Sequence, residues 1–330
     1  MSGEQNLVID HAQGLITVTL DRPRALNALT TDMVAGIGAV VDASSAPVLI
    51  RSAHPVAFCA GGDIRAIREH AMRGDREAIR EFFAAEYAMN HVVAQAPQVV
   101  SVVDGICLGG GLGIAAHSRV HVVTERASLA MPESAIGFFP DVGASYLLAA
   151  APGEVGLYLA MTGARIGPAD AIYAGLATHL IASADVAEFG ARLRTEGVTA
   201  ALESAALPVD VADCALLAHR DDIDRCFSAE SVPAVLERVA ATDNDWGITT
   251  SALLRAASPQ SLATAFALVR RARTSTLADC LDRDLAVALA MVHTDDFIEG
   301  VGAKLVDRNR APVWTSRHDS VDPAMAEVLL

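Results

Sequence analysis

Three segments of this 330-residue sequence combine residue types that could carry chemistry. Residues 58–64 place the pair Gly61-Gly62 before a helix, and residues 105–111 end in three consecutive glycines. Such glycines leave backbone N–H groups free at the positive end of a helix dipole, where an oxyanion can bind. Residues 131–143 place Glu133 and Asp141 in an apolar loop, and a carboxylate in apolar surroundings can act as a base or nucleophile near neutral pH. The sequence therefore predicts an oxyanion site together with carboxylate catalysis.

Each of these segments also has a purely structural interpretation. A glycine pair before a helix is a common turn, and a glycine triplet occurs where a helix packs on a strand. A single carboxylate in a loop is most often solvated or caps a helix. It is the occurrence of all three segments in one chain, in this order, that favours a catalytic site.

Other chemistries lack support in the sequence. Residues 111–116 match the GxGxxA pattern of dinucleotide-binding proteins, but a seven-residue loop separates them from the preceding strand. Residues 143–147 lack the second glycine of a nucleophile elbow, and the ten histidines show no HExxH spacing. We therefore expect no metal site and no cofactor.

The elements that must position these segments can be predicted from hydrophobic patterns. Short apolar, β-branched runs predict strands, and longer amphipathic stretches between them predict helices; this alternation is typical of layered α/β architecture. Beyond about residue 205 there are few β-like runs and many helical patterns. One of these helices is opened by Ser258 as N-cap, followed by Pro259. We therefore expect an α/β core over residues 1–205 and a helical region over residues 206–330. The predicted strands are 15–20, 48–50, 99–103, 119–124 and 128–130, and the predicted helices are 31–43, 63 onward, 75–95, 231–242, 245–257, 259–273 and 276–292.

Composition excludes several classes of partner. With 25 basic and 40 acidic residues the formal net charge is −15, which argues against a nucleic acid or an anionic membrane surface. Lys304 is the single lysine, so no P-loop lysine exists. Five scattered cysteines without a CxxC pair, and a polar N-terminus without an apolar signal region, favour the cytoplasm.

The three segments and the earlier run LDRPRALNAL (residues 20–29) resemble the crotonase, or enoyl-CoA hydratase/isomerase, superfamily. The resemblance covers most of the chain. It implies a spiral of ββα units with a helical C-terminal part. It also implies an acyl-CoA thioester as substrate, with coenzyme A as part of that substrate, and an oxyanion hole formed by the amides of Gly62 and Gly110.

Within that superfamily the carboxylates resemble those of the 3-hydroxyisobutyryl-CoA hydrolases. Hydratases of the superfamily carry two glutamates, and the position that matches the first is Gly113 here, whereas Glu133 matches the second. The hydrolases instead pair the glutamate with an FPD aspartate, which Asp141 matches, and Glu86 matches a further acidic residue of their substrate site. The resemblance thus implies thioester hydrolysis, most specifically of 3-hydroxyisobutyryl-CoA in valine catabolism, with Glu133 and Asp141 as the catalytic pair.

Further substrate contacts are expected in the first two motifs. Arg24 is a candidate partner for the phosphates of coenzyme A, because an acidic chain needs local positive charge to hold an anionic ligand, although a solvated surface role fits it equally. Ala60 and Asp63 flank the glycine pair and are expected at the substrate site together with Glu86.

Two other functions stay open at this point. One is an enoyl-CoA hydratase or isomerase of the same superfamily with a relocated acid. The other is a non-catalytic acyl-CoA-binding protein, since a fold does not fix a function. The sequence also leaves open whether the chain forms a homo-oligomer.

Overall fold

A computed structural model describes residues 6–12 and 14–316 of the chain. The polar N-terminus and the end of the predicted helical region lie outside the described residues. The described strands are β1 (Leu7–Ala12), β2 (Leu15–Leu20), β3 (Val48–Ser52), β4 (Ala57–Cys59), β5 (Val99–Val103), β6 (Ile106–Leu108), β7 (Val120–Thr124), β8 (Ser128–Ala130) and β9 (His179–Ile181).

Helices connect these strands and make up most of the described chain after β9. They are α1 (Thr31–Ala43), α2 (Ile64–Arg73), α3 (Arg76–Gln95), α4 (Gly110–His117), α5 (Ala144–Ala149), α6 (Val155–Thr162), α7 (Pro168–Tyr173), α8 (Val186–Glu196), α9 (Val198–Ala205), α10 (Ala215–Ala218), α11 (Arg220–Phe227), α12 (Val232–Ala240), α13 (Asp245–Ala256), α14 (Pro259–Ala272), α15 (Leu277–Met291) and α16 (Asp295–Val301). The predicted α/β class with a helical C-terminal region is confirmed.

Two sheets contain the strands. The larger has the order β1-β2-β3-β5-β7-β9; β1 pairs antiparallel with β2, and the remaining pairs are parallel. The smaller has the order β4-β6-β8, with β4 and β6 parallel. Because parallel neighbours end at the same edge, the loops after β4 and β6 leave their sheet on the same side. These are the loops that carry the glycine pair and the glycine triplet.

Two compact units make up the described chain, and each is assembled from separate chain segments. The first contains the described parts of residues 1–62, 85–129 and 166–214, and the second contains residues 63–84, 130–165 and the described part of 215–330. The segment with Glu133 and Asp141 groups with the C-terminal helices in the second unit. The boundary near residue 205 stays a prediction.

Each unit has its own apolar core. In the first, α8 and α9 cover the larger sheet, where Leu15, Leu49 and Phe189 are almost fully buried. In the second, Phe138 stacks on Phe83 with ring centroids 5.7 Å apart. Within residues 6–12 and 14–316, no helix is long and apolar enough to cross a lipid bilayer.

Close helix packing in the second unit gives a test of this architecture. A Cβ atom on Gly156 of α6 would overlap the carbonyl oxygen of Leu148 in α5, a backbone atom that cannot rotate away. We expect Gly156→Ala to lower the free energy of unfolding by about 1–3 kcal/mol, as overpacked sites do. Thermal and denaturant unfolding measure this loss.

Gly190 provides the matched control, since it is also a buried helical glycine. A Cβ atom there would meet only the Cδ2 atom of Leu49, at 3.6 Å, which is ordinary contact. Gly190→Ala should leave stability unchanged or raise it by up to about 1 kcal/mol through the loss of backbone entropy in the unfolded chain. Equal effects of the two substitutions would contradict the packing described for α6.

Candidate active site

The loop after β4 is fixed in the first unit by the preceding LDRPRALNAL segment. Asn27 is fully buried at φ +58°, and its Nδ2 atom donates to the carbonyl of Phe58 at 2.9 Å and to the hydroxyl of Ser52 at 2.7 Å. Its Oδ1 atom accepts from the amide of Arg22 at 2.7 Å. Asparagine tolerates this left-handed conformation better than most residues, which is the signal in the sequence that could have identified it. Asn27 therefore holds the motif against the end of β4.

The glycine pair continues this attachment. The amide of Leu29 donates to the carbonyl of Gly61 at 2.8 Å, and Leu29 and Gly62 form a parallel bridge. That bond joins the amide of Leu29 to the carbonyl of Gly61 and so holds the glycine pair beside residue 29. Asp63 caps α2 by accepting from the amide of Ala66, so Gly62 precedes the cap. The role of the Gly62 N–H group as an oxyanion donor stays a prediction.

The glycine triplet lies next to this loop. Gly109 is the N-cap of α4 and Gly110 its first residue, so the amide of Gly110 is one of those that have no acceptor within the helix. The amide nitrogen of Gly110 is 3.6 Å from the position that a Cβ atom on Gly61 would occupy. The structure thus brings the two predicted loops together, with the Gly110 amide at the start of a helix.

Gly111 shows why the triplet is required. A Cβ atom there would lie 2.7 Å from the Cβ atom and 2.8 Å from the carbonyl oxygen of Cys59, which is too close for any other residue. Burial raises the pKa of the Cys59 thiol to about 12. A hydrogen bond with Gly61 lowers this pKa, and the negative charge of Glu86 raises it, but both effects are smaller than that of burial. The thiol is therefore not a nucleophile near neutral pH.

Glu86 lies in α3 next to the triplet. It is 2% exposed, and a Cβ atom on Gly110 would overlap its carboxyl group. The first unit therefore holds a buried acid immediately beside the amide of Gly110. Two other predicted residues of this unit are less enclosed: Arg24 is exposed in the 3₁₀ turn Pro23–Ala25, and half-buried Ala60 donates its amide to the carbonyl of Leu26 at 3.0 Å.

The second unit holds the two predicted catalytic acids. Glu133 begins the 3₁₀ turn Glu133–Ile136 and is 8% exposed, and its Oε2 atom has no hydrogen-bond partner among the described residues. Burial raises its pKa well above the usual range, the negative charge of Asp141 raises it further, and a hydrogen bond with its own backbone lowers it. Glu133 therefore retains a proton at a higher pH than a solvated glutamate and is a correspondingly stronger base once ionised.

The turn that carries Glu133 is held by close backbone contacts. Gly137 ends it at φ +75°, where a Cβ atom would overlap the carbonyl of Asp296, and the amide of Ser258 donates to the carbonyl of Ser134 at 2.9 Å. The hydroxyl of Ser258 in turn donates to Asp296 at 2.6 Å. Glu133 thus projects from a turn that α14 and α16 hold in place.

Asp296 is a buried acid of a different kind. Burial, the largest influence, raises its pKa, but hydrogen bonds from Ser258, Ser316 and the amide of Thr315 outweigh burial, and the pKa lies below the usual range. Its carboxylate therefore stays ionised and serves to anchor the chain near residue 315.

Asp141 is 5% exposed and begins a tight turn. Its carbonyl accepts the amide of Ala144 at 2.8 Å, and Val142 and Gly143 both have positive φ, +55° and +72°. A β-branched residue in this region is strained, so the turn needs support from its surroundings. Asp284 of α15, which sequence reasoning missed, accepts the amide of Gly143 at 2.8 Å.

The predicted site residues thus fall into two sets, each described within its own unit. Gly62, Gly110 and Glu86 belong to the first unit with Arg24 and Ala60, and Glu133 and Asp141 belong to the second with Asp63. Among the described residues no group of three or more histidines, cysteines or acids could hold a metal ion. The backbone amides of these residues can donate hydrogen bonds, and their carboxylates can transfer protons or act as nucleophiles.

Known proteins of one family are similar to this chain. Over residues 15–330 the chain matches the family described as enoyl-CoA hydratase/isomerase. It is 33% identical to 3-hydroxyisobutyryl-CoA hydrolase 1 of Arabidopsis thaliana, over 96% of this chain and 89% of that protein. It is 35% identical to a mitochondrial 3-hydroxyisobutyryl-CoA hydrolase of Xenopus tropicalis, over 90% of this chain and 81% of that protein.

Two solved structures are similar over nearly the whole chain. A carnitinyl-CoA dehydratase from Mycobacterium thermoresistibile has a TM-score of 0.92 at 34% identity, and covers 98% of this chain and 96% of its own. An enoyl-CoA hydratase from Rhodobacter sphaeroides has a TM-score of 0.90 at 35% identity, and covers 98% of this chain and 97% of its own. The chain therefore has the crotonase fold and belongs to the enoyl-CoA hydratase/isomerase family of acyl-CoA enzymes.

Proposed function

We propose that this chain hydrolyses the thioester bond of 3-hydroxyisobutyryl-CoA, giving 3-hydroxyisobutyrate and free coenzyme A, as a step of valine catabolism. The observation that carries the proposal is the pair of acids in the second unit: Glu133 is buried with a raised pKa, and the charge of Asp141 contributes to that rise. Gly113, where a hydratase of the family would have its other glutamate, leaves α4 without a carboxylate at that position. The names of the relatives support the same substrate.

In the proposed reaction the amides of Gly62 and Gly110 donate to the thioester carbonyl oxygen. As water or a carboxylate adds to the carbonyl carbon, the oxygen becomes an oxyanion and these hydrogen bonds strengthen. Removal of one such donor typically raises a barrier by about 2.7–4 kcal/mol. Backbone donors on a loop that Asn27 fixes need no reorganisation as the charge develops.

Glu133 would begin the reaction by one of two routes. As a nucleophile it attacks the carbonyl carbon, the sulfur leaves with the bonding electrons, and water then hydrolyses the resulting anhydride. As a general base it removes a proton from the water that attacks directly. Both routes need the ionised carboxylate, and the raised pKa makes this carboxylate a stronger base than usual.

Asp141 would serve the substrate in one of two ways. It either accepts a hydrogen bond from the 3-hydroxyl group or donates a proton to the departing thiolate. Glu86, Ala60 and Asp63 would contact the acyl group and its surroundings, although the carboxylate of Asp63 also caps α2. Arg24, which is exposed on the 3₁₀ turn Pro23–Ala25, would contact the coenzyme A phosphates.

A hydratase or dehydratase is the second candidate, and the names of the two proteins with similar structures favour it. Purified chain incubated with 3-hydroxyisobutyryl-CoA, isobutyryl-CoA and crotonyl-CoA separates the two activities. Hydrolysis releases free thiol, whereas hydration of crotonyl-CoA removes the enoyl absorbance and releases none. Hydration without thiol release would overturn the proposal, and binding without any turnover would identify an acyl-CoA-binding protein.

We propose the cytoplasm as the compartment of this chain, as the sequence predicts. The five cysteines are all buried and form no disulfide within the part of the chain that the structure describes, which fits the reducing cytoplasm predicted for the chain. The Xenopus relative is named as mitochondrial, and the mitochondrial matrix would fit reduced thiols equally well.

Glu133→Gln should abolish thiol release while acyl-CoA binding remains. The amide keeps the shape of the side chain but can neither attack a carbonyl nor accept a proton at that oxygen. Turnover is measured by thiol release, and binding is measured by calorimetry with 3-hydroxyisobutyryl-CoA. Glu81→Gln, an exposed change on α3, is the matched control and should keep full activity. Retention of about a tenth or more of wild-type hydrolysis by Glu133→Gln would contradict the assignment.

Asp141→Ala should reduce the preference for a hydroxylated substrate. A site built to hydrogen-bond a hydroxyl group rejects an analogue that lacks it strongly, because a buried acceptor is left unpaired. We expect wild-type kcat/KM for 3-hydroxyisobutyryl-CoA to exceed that for isobutyryl-CoA by about 100-fold or more, and the variant to bring the ratio below about 10. Equal losses on both esters would show that Asp141 acts on the leaving group or the fold.

A further inference from the structure

Asp284 is a buried acid to which neither the sequence analysis nor the proposed reaction assigns a role. It lies within α15, between the partly buried Arg283 and the half-buried Leu285, and is itself 0% exposed. Charged residues are almost never fully buried unless they are paired. Asp284 therefore needs a physical account.

The contacts of Asp284 are divided between its two carboxyl oxygens. Oδ2 accepts the amide of Gly143 at 2.8 Å, two residues after Asp141. Oδ1 is buried and has no hydrogen-bond partner among the described residues. One oxygen thus supports the strained turn at Val142 and Gly143, and the other leaves an acid group available for a proton.

The surroundings of Asp284 as a whole favour its protonated form. Burial, the largest influence, raises its pKa well above the usual range; the Gly143 amide lowers it, Asp141 raises it and Arg283 lowers it. Cys280, one turn earlier in α15, is a further titratable group near it. In α5, which packs against α15, the only titratable side chain is that of Tyr146, which is 40% exposed. Asp141 is therefore the negative charge that acts on Asp284.

We propose that Asp284 is a positioning residue for Asp141: it holds the Asp141–Gly143 turn through the Gly143 amide and shares with Asp141 the capacity to hold one proton. The inference deepens the proposed function, because it concerns the acid that would bind the hydroxyl group or protonate the thiolate. Two neighbouring acids in an apolar site titrate as a pair, and the pair retains one proton to a higher pH than either acid would alone. The pair Asp141 and Asp284 thereby retains one proton toward neutral pH.

Two substitutions separate the roles of support and proton retention. Asp284→Asn keeps an oxygen that can accept the Gly143 amide but removes the titrating group, whereas Asp284→Ala removes both. We expect Asp284→Asn to keep kcat within several-fold of wild type at its optimum and to shift the alkaline limb of the kcat–pH profile down by about one pH unit or more. Asp284→Ala should lower kcat at every pH. Asp284→Asn, by contrast, should have a kcat close to that of wild type at its own optimal pH. Asp282→Asn, an exposed change on the same helix, is the control and should leave the profile unchanged.

A stability measurement tests the inference without any turnover. Because the folded chain holds the Asp284 proton more tightly than the unfolded chain, this group stabilises the fold fully below about pH 4 and loses that contribution as the pH rises toward the folded-state pKa. Asp284→Asn lacks this dependence. The melting temperature of Asp284→Asn minus that of wild type should therefore increase by several degrees between pH 4 and pH 8.

The outcomes distinguish the inference from the proposed function. If wild type releases no thiol from any ester, the proposed hydrolysis fails, and the stability difference alone decides whether Asp284 holds the proton. If wild type hydrolyses its substrate but Asp284→Asn keeps the pH profile of Asp282→Asn, the inference is overturned and the proposed function stands. A stability difference that does not change with pH would also overturn it.

Discussion

The close approach of α4 to β4 is the constraint on which the first unit depends. Gly111 leaves room for the backbone of Cys59 at a distance that no side chain permits, and this contact fixes where α4 begins. The start of α4 then determines where the amide of Gly110 lies, and Glu86 fills the space that a side chain at position 110 would need. A single larger residue in the triplet would move the helix, the amide and the acid together. The structural and the functional interpretations of the triplet are therefore the same: the packing creates the site.

Buried acids in the second unit follow two different physical patterns. Asp296 accepts hydrogen bonds from Ser258, Thr315 and Ser316, and their lowering of its pKa outweighs the effect of burial. Its ionised carboxylate therefore serves to hold these chain segments together. Glu133 and Asp284 each keep an oxygen without a hydrogen-bond partner among the described residues, and burial dominates their pKa values. Such groups cost stability, and natural proteins tolerate that cost mainly where activity needs it. This contrast separates an anchoring acid from acids available for chemistry.

Much of the fold could be predicted from the sequence because local signals agree with the tertiary structure. Ser258 and Pro259 mark the start of α14 as the capping rules require, and the apolar run 99–103 is the central strand β5. β1 escaped prediction because it is an edge strand whose residues are mostly exposed, so its hydrophobic pattern is weak. The discontinuous units could not be predicted either, since they depend on which distant segments pack together.

The parts of the candidate site that consist of recognisable residue types in a motif could be predicted from the sequence. The parts that depend on contacts between distant residues could not. The glycine loops and the pair Glu133 and Asp141 are visible as motifs, and the structure places each within a compact unit. Asp284 could not be found, because an aspartate within a polar stretch of α15 has the same appearance as a solvated one. Its meaning comes from the amide of Gly143, 141 positions away in the chain.

The burial of every cysteine has a practical consequence for work on this chain. All five thiols lie beneath the surface, and the Cys59 and Cys107 thiols are held protonated by their apolar surroundings. Disulfide dyes react with thiolates that they can reach, so the folded protein should stay colourless in their presence. Coenzyme A set free in solution has no such protection. Colour development in a native sample would therefore report the product, and a burst of about five further equivalents would mark the moment when the protein unfolds.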